Sequence, residues 1–432
     1  RRMAPRQGGM AALVVLSLVG CMAETAGLGA APLPQPCATP TTCVVPVFPA
    51  LRPRFPPTYR MNQSTVVMPC NSDTTDGGWS NASFFARFGI TDFDWSNAKA
   101  YWSKATPMDC QERLVTQAQM TKASNPEAKV WVYRNIVKAL PWFTDVRVKI
   151  NDPAFSGWFL HSKGSAALYH DHEQTIPGDC GGIECGEYLW DHRNASVRDY
   201  IVNTIVGGPD ALGNANIDGL FLDDFWSNFA YKLPWAKSPL SDCSVSATGG
   251  PSEIRGGCIE AMGLSAADVQ DVAAAWRETL TAVFNKIVEL NGYTWQMLQF
   301  PDGSSASRTT ARSASFFRRE CATNSTSATS PTYLRFSRAT ETNANGLPTL
   351  PWFEQDLAAF LLIRAEYAWL GYSWGGCNRK YSRPSALDLD YGEPIGRCVE
   401  TAPDSGVFTR NWTHATVTLD TNTNTASISM KA

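Results

Sequence analysis

The spacing of apolar residues changes several times along the chain, and each change marks an element. From Ser265 to Leu290, the residues Val269, Val272, Ala273, Trp276, Leu280, Val283, Phe284, Ile287 and Leu290 recur at helical spacing. Ser265 stands where it can cap this run, and Asp268 takes the third helical position, so the spacing predicts a helix over 265–290. Further helices are predicted over 109–123, 196–206 and 354–366, with a broken stretch at 152–160. Short β-rich runs predict strands over 86–93, 129–133, 187–190, 217–222, 294–298, 333–336 and 367–372.

Strands alternating with helices imply right-handed crossovers and a parallel sheet. No G-x-G-x-x-G follows the first predicted strand, so a (β/α)8 TIM barrel is preferred to two mononucleotide-binding halves. After Cys377 the period shortens, with alternation over 407–412, 415–419 and 426–430. The expected fold class is therefore α/β, a (β/α)8 barrel with a small C-terminal antiparallel β appendage.

The two ends of the chain read differently. Arg1, Arg2 and Arg6 precede an apolar run from Ala11 to Val19 and then small residues, the pattern of a secretory signal over 1–30. Leu18-Val19-Gly20-Cys21 leaves open a lipid anchor through Cys21. Nine prolines between Pro32 and Pro57 make 31–60 an extended linker. The barrel domain is then expected at 61–376 and the β-rich segment at 377–432. The signal run is too short to cross a bilayer, and no later stretch is longer, so no membrane span is expected.

Composition sharpens this picture at two points. The chain of 432 residues holds 12 Cys and 15 Trp. Cysteine at this density in an exported chain implies disulfides, and five N-x-S/T sequons at Asn62, Asn81, Asn194, Asn324 and Asn411 suit a eukaryotic secretory route. If Cys21 leaves with the signal, the remaining count is odd and one thiol stays free or pairs between molecules. Local pairings such as Cys180 with Cys185, Cys243 with Cys258 and Cys377 with Cys398 are plausible, although spacing does not fix connectivity. A net charge of -3 gives no footprint for gripping nucleic acid, and it fits an uncharged polysaccharide better than a polyanionic one.

Barrel chemistry gathers where strands end, and the predicted strand ends carry carboxylates. They read Asp92-Phe93-Asp94-Trp95, Arg134-Asn135, Asp191-His192-Arg193 and Leu222-Asp223-Asp224-Phe225-Trp226. Paired carboxyls suit glycoside hydrolysis, in which one protonates the leaving oxygen and the other attacks or activates water. Asp223 and Asp224 are the leading catalytic candidates. Because successive strand residues face opposite ways, only one of them is expected to point into the mouth, and Asp223 is preferred. Asp94 is the expected partner, with Asp92 one pleat back and structural.

Arg134, Asn135 and Asp191 are candidate substrate contacts. Asp191 has a plainer reading as a partner of Arg193 or Arg198, with Asn194 or Ser196 capping the helix that follows. Trp95, Trp226 and Trp374 each follow a strand end, where a flat ring can stack on a sugar, although core packing explains any one of them as well. Glu366 precedes the last predicted strand and so falls at the wrong end. No metal ligand set and no cofactor are expected: His170 and His172 alternate, but no third ligand is identifiable. A serine hydrolase is disfavoured because no G-x-S-x-G occurs.

These residues resemble the hypothetical glycosyl hydrolase family 15, a group of predicted barrel proteins. The resemblance runs from about Phe84 to the C-terminus. It rests on the Arg87 to Trp95 segment, on Asp191-His-Arg-Asn-Ala-Ser-Val-Arg-Asp-Tyr-Ile, on Asp218-Gly-Leu-Phe-Leu-Asp-Asp, and on Asp390-Tyr-Gly-Glu-Pro-Ile-Gly with Val407-Phe-Thr-Arg-Asn-Trp. It implies a carbohydrate-active barrel without an established substrate. Family 18 chitinases carry D-G-x-D-x-D-x-E at the third of these places, whereas Phe225 stands here for the acid-bearing Glu, so that chemistry is not expected. The expected function is a secreted glycoside hydrolase acting on an extracellular or cell-wall polysaccharide. The alternative is a non-catalytic carbohydrate-binding or wall-structural protein on the same scaffold.

Overall fold

The structure is a computed structural model that describes residues 58–69, 78–95, 102, 107–171, 180–224, 262–294, 313–322, 332–336, 341–342, 348–350, 352–366, 368–372 and 383–431. The proposed signal and almost all of the proline-rich linker lie outside the described residues. So do Trp226, Trp374, Cys37, Cys43, Cys243, Cys258 and Cys377.

The fold is α/β, built on a curled parallel sheet. Its strands are β1 (Thr65–Val67), β2 (Ile90–Phe93), β3 (Lys129–Asn135), β7 (Gly219–Asp223), β8 (Tyr293–Thr294), β9 (Thr332–Phe336) and β12 (Ala368–Tyr372). They run in the order β8-β7-β3-β2-β1-β12-β9, and every neighbouring pair is parallel. The last of these seven strands in sequence therefore pairs with the first, Thr65 lying opposite Leu370.

The other elements fall between these strands. Helices α1 (Ala82–Phe85), α2 (Cys110–Ser124), α3 (Thr144–Asn151), α4 (Ala195–Tyr200), α5 (Ala266–Glu289), α6 (Ala314–Ala322) and α7 (Phe353–Ile363) are the α-helical ones. The short strands β4 (Lys138–Ala139), β5 (His170–Asp171) and β6 (Glu187–Leu189) form a small antiparallel sheet of order β4-β6-β5, and β10 (Glu341–Thr342) pairs with β11 (Pro348–Thr349).

Three expectations need correction. The sheet begins at Thr65, upstream of the first predicted strand, because three consecutive buried residues show no alternation by which to detect them. The run at 187–190 is an antiparallel strand of the side sheet rather than a barrel strand, so Asp191 does not stand at the end of a parallel strand. Cys398 is bonded to Cys321 rather than Cys377, whereas the Cys180–Cys185 bond forms as the local spacing allowed. Cys110 is a buried free thiol.

Helix α5 bears out the cap reading, with a reciprocal Ser265–Asp268 capping box and Val272, Ala273, Trp276, Leu280, Val283, Phe284 and Ile287 buried along one face. Two layers follow from the pleat of β3 and β7. Val130, Val132, Leu220 and Leu222 share one face with Asp218, whose carboxylate meets Lys122 of α2 at 2.6 Å, so this is the helix-covered face. Trp131, Tyr133, Asn135, Gly219, Phe221 and Asp223 therefore line the interior.

The C-terminal segment is an antiparallel sheet of β13 (Pro394–Glu400), β14 (Val407–Trp412), β15 (Ala415–Asp420) and β16 (Thr425–Met430). Phe408, Trp412, Val417 and Leu419 are buried in it. Arg410 donates to the carbonyls of Leu361, Leu362 and Arg364 at 3.2, 3.1 and 2.7 Å, which satisfies the C-terminus of α7 and ties the appendage to the sheet-bearing body.

Candidate active site

Three adjacent strands, β2, β3 and β7, bring the candidate carboxylates to one interior rim. In the register of β3 and β7, Asn135 lies opposite Asp223 and Tyr133 opposite Phe221. On β2, Asp92 lies opposite Trp131, and Asp94 follows on the same face two residues later. Asp94 and Asp223 are thus two strands apart at the same end of the sheet; both push the Asp92 carboxyl up, and Asp94 also pushes up that of Asp223.

Asp223 accepts the Tyr133 hydroxyl at 3.0 Å on Oδ2 and the backbone N–H of Asp224 at 2.9 Å on Oδ1. Burial pushes its carboxyl up, the neighbouring Asp224 charge adds to this, and the result is about 7. A carboxyl in that range is divided between acid and base near neutral pH, the condition a general acid requires.

Asp224 departs from the alternation expected of a strand. Its φ of 59° is left-handed, so the chain turns at once after β7 and the Asp224 side chain swings back toward β3. There its Oδ2 accepts the Asn135 amide at 2.7 Å and sits 3.3 Å from the Lys138 ammonium. Lys138 is also 2.6 Å from Glu187 of the side sheet. Burial alone would lower the Lys138 ammonium, but Asp224 and Glu187 hold it above its ordinary value.

Asn135 is the hinge of this network. Its Nδ2 also donates to the Tyr133 oxygen at 3.0 Å, while its Oδ1 accepts the backbone N–H groups of Val137 and Lys138. The amide orientation is thereby fixed, and the phenol proton of Tyr133 is directed at Asp223. The Tyr133 hydroxyl is held well above its ordinary range by burial and then by Asp223, so it remains a donor.

Asp92, read from sequence as structural, is fully buried, and neither of its oxygens has a hydrogen-bond partner among the described residues. Burial, with Asp94 and Asp223 nearby, pushes its carboxyl well above the ordinary range. It is therefore a neutral acid beneath the rim.

The remaining candidates divide. Trp95 is half-buried and packs against Trp142 with ring centroids 4.7 Å apart and planes tilted by 33°, a braced ring beside Asp94. Arg134 points to the helix-covered face, where it donates to the carbonyls of Tyr133 and Asp210 and lies 5.2 Å from the Phe143 ring. That placement turns it away from the rim. Asp191 is taken by Arg193, with contacts of 2.8 and 2.9 Å, and Asn194 caps α4, so its plainer reading holds. Glu366 is exposed near the N-terminal end of β12. Among the described residues no three His, Cys, Asp or Glu side chains are grouped to hold a metal ion.

Sequence reading passed over Tyr133, Lys138 and Glu187. Tyr133 had a usable signal, since it precedes Asn135 by two on the same strand. Lys138 and Glu187 had none, because the side sheet that joins them is formed by segments about fifty residues apart.

No family model matches this chain, and no curated protein matches it, so the resemblance to glycosyl hydrolase family 15 stands on its motifs alone. Among solved structures, the chain is similar to the cyclic alpha-maltosyl-(1→6)-maltose hydrolase of Arthrobacter globiformis, with 14% identity, a TM-score of 0.37, and 83% of this chain and 91% of that one covered. It is also similar to Eubacterium rectale Amy13B, with 10% identity, a TM-score of 0.40, and coverage of 84% and 87%. The Nostoc punctiforme debranching enzyme follows at 12% identity and a TM-score of 0.33, with coverage of 78% and 77%. Likenesses of this degree assign neither family nor activity, and the functional reading rests on the rim itself.

Proposed function

We propose that the protein is a secreted glycoside hydrolase that cleaves a polysaccharide of the extracellular space or cell wall. The observation that carries this reading is the Asp223 carboxyl, raised to about 7, held by Tyr133 and facing the same rim as Asp94. Asp223 is the general acid, protonating the glycosidic oxygen as the bond to the anomeric carbon breaks. Asp94 is the carboxylate that meets the positive charge developing on the sugar, as nucleophile or as base for water. Asp224 stays fixed on Asn135 and Lys138, and its negative charge helps keep the proton on Asp223. Trp95 supplies a braced ring for stacking a sugar face.

The parallel order in which β12 meets β1 supports closure into a (β/α)8 barrel. The two disulfides among the described residues are consistent with export, and no helix among those residues is long and apolar enough to cross a membrane.

Asp223→Asn and Asp94→Asn, assayed on a panel of neutral polysaccharides, are expected to lose about 10²–10⁴-fold in turnover. Unchanged turnover in both variants would overturn the assignment. Glycan binding by a parent protein that hydrolyses nothing would instead select the non-catalytic reading.

A further inference from the structure

The N-terminal ends of the same strands open on a second cavity, at the opposite end of the sheet from Asp94 and Asp223. The segments that lead into β1, β2 and β3, together with Trp369 of β12, line a half-open depression of about 690 Å³. That is the size of a site for a small ligand.

Its lining has two characters. Neutral hydrogen-bonding side chains, Asn62 and Ser83 among them, suit a ligand rich in hydroxyl groups. The charged residues are Arg60, Arg87 and Lys129 against Glu127 and Asp388. Asp388 is already held by two guanidiniums, Arg87 at 2.8 Å and the buried Arg383 at 2.7 Å. Arg60 is exposed, and no carboxylate pairs with it among the described residues. The excess is positive, whereas the rim at the other end is acidic.

We propose that this cavity binds an acidic oligosaccharide, with Arg60 and the outer edge of Arg87 taking uronate carboxylates and the amides and hydroxyls taking the ring hydroxyls. A guanidinium meets a carboxylate with two parallel N–H···O bonds, which a compact ammonium does not. The site is independent of the catalytic reading.

The test is calorimetric titration of the full chain at low ionic strength with tetragalacturonate, and with maltotetraose as the uncharged control. Tetragalacturonate is expected to bind and maltotetraose not. Arg60→Ala, which alters an exposed side chain, should weaken binding by about tenfold, the loss expected for one charge-assisted pair. Asp223→Asn should leave binding unchanged. The proposal is overturned by equal affinity for the two sugars, by undiminished binding in Arg60→Ala, by loss of binding in Asp223→Asn, or by no binding at all. A glycan found on Asn62 by mass spectrometry would also overturn it, because that glycan would fill the cavity.

Discussion

Tyr133 and Asp223, on neighbouring parallel strands, are joined by a 3.0 Å hydrogen bond in which the phenol donates. Asn135 donates to the same phenol oxygen, leaving the proton one direction to point. The bond favours the ionised carboxylate and works against burial and Asp224, which raise Asp223 to about 7. A general acid is lost as pH climbs through its pKa, so kcat/KM should fall above pH 7. In Tyr133→Phe the opposing bond is gone, Asp223 rises further, and the alkaline limb of kcat/KM should move to higher pH. A limb that stays or moves down would count against Asp223 as the acid.

Lys138 is a buried cation shared by Asp224 and Glu187. Lys138→Met leaves two mostly buried carboxylates facing each other, and removing one member of such a group costs about 3–5 kcal/mol. Denaturant unfolding at pH 7 should show that loss. Lys138→Met with Glu187→Gln should recover part of it. The same variant should raise Asp223, which Lys138 normally lowers.

Most of the fold was legible because long periodic runs carry their own signal. The capped helix α5, the strands β3, β7, β9 and β12, and the alternation of β14 to β16 lie close to their expected places. What failed was whatever depended on pairing across the chain: the buried three-residue β1, the role of β6, and the partner of Cys398. The candidate site divides in the same way. Asp94, Asn135 and Asp223 followed from strand ends. Asp224 reaches the network through a left-handed backbone that alternation forbids, and Arg134 is turned outward by the period that brings Tyr133 and Asn135 inward.

Asp92 ties the interior to pH. Its carboxyl is held protonated in the folded protein, whereas in the unfolded chain it ionises near pH 3.9. Above about pH 4 the folded state therefore binds more protons than the unfolded state, and stability falls as pH rises toward the raised folded-state value. Below pH 4 both states are protonated and the effect is absent. Asp92→Asn should remove that slope: more stable than the parent at pH 7, and no more stable at pH 4. A parent and variant with parallel stability profiles from pH 4 to 7 would show that Asp92 ionises normally.

Gly219 marks a close approach of backbone to ring in the interior. It lies between Trp131 of β3 and Tyr293 of β8 in the sheet register, and those two rings stand nearly parallel with centroids 6.3 Å apart. A Cβ at position 219 would come within 2.4 Å of the Trp131 ring, which is fully buried and has nowhere to retreat. Gly219→Ala should therefore cost about 1–3 kcal/mol by overpacking. Trp131→Leu alone should also destabilise, through the cavity it leaves. Because the added methyl would enter that cavity, the double variant should lose less than the two single losses together. Additive losses in that cycle, read from urea unfolding, would mean that the glycine is needed for its backbone alone and not for the ring beside it.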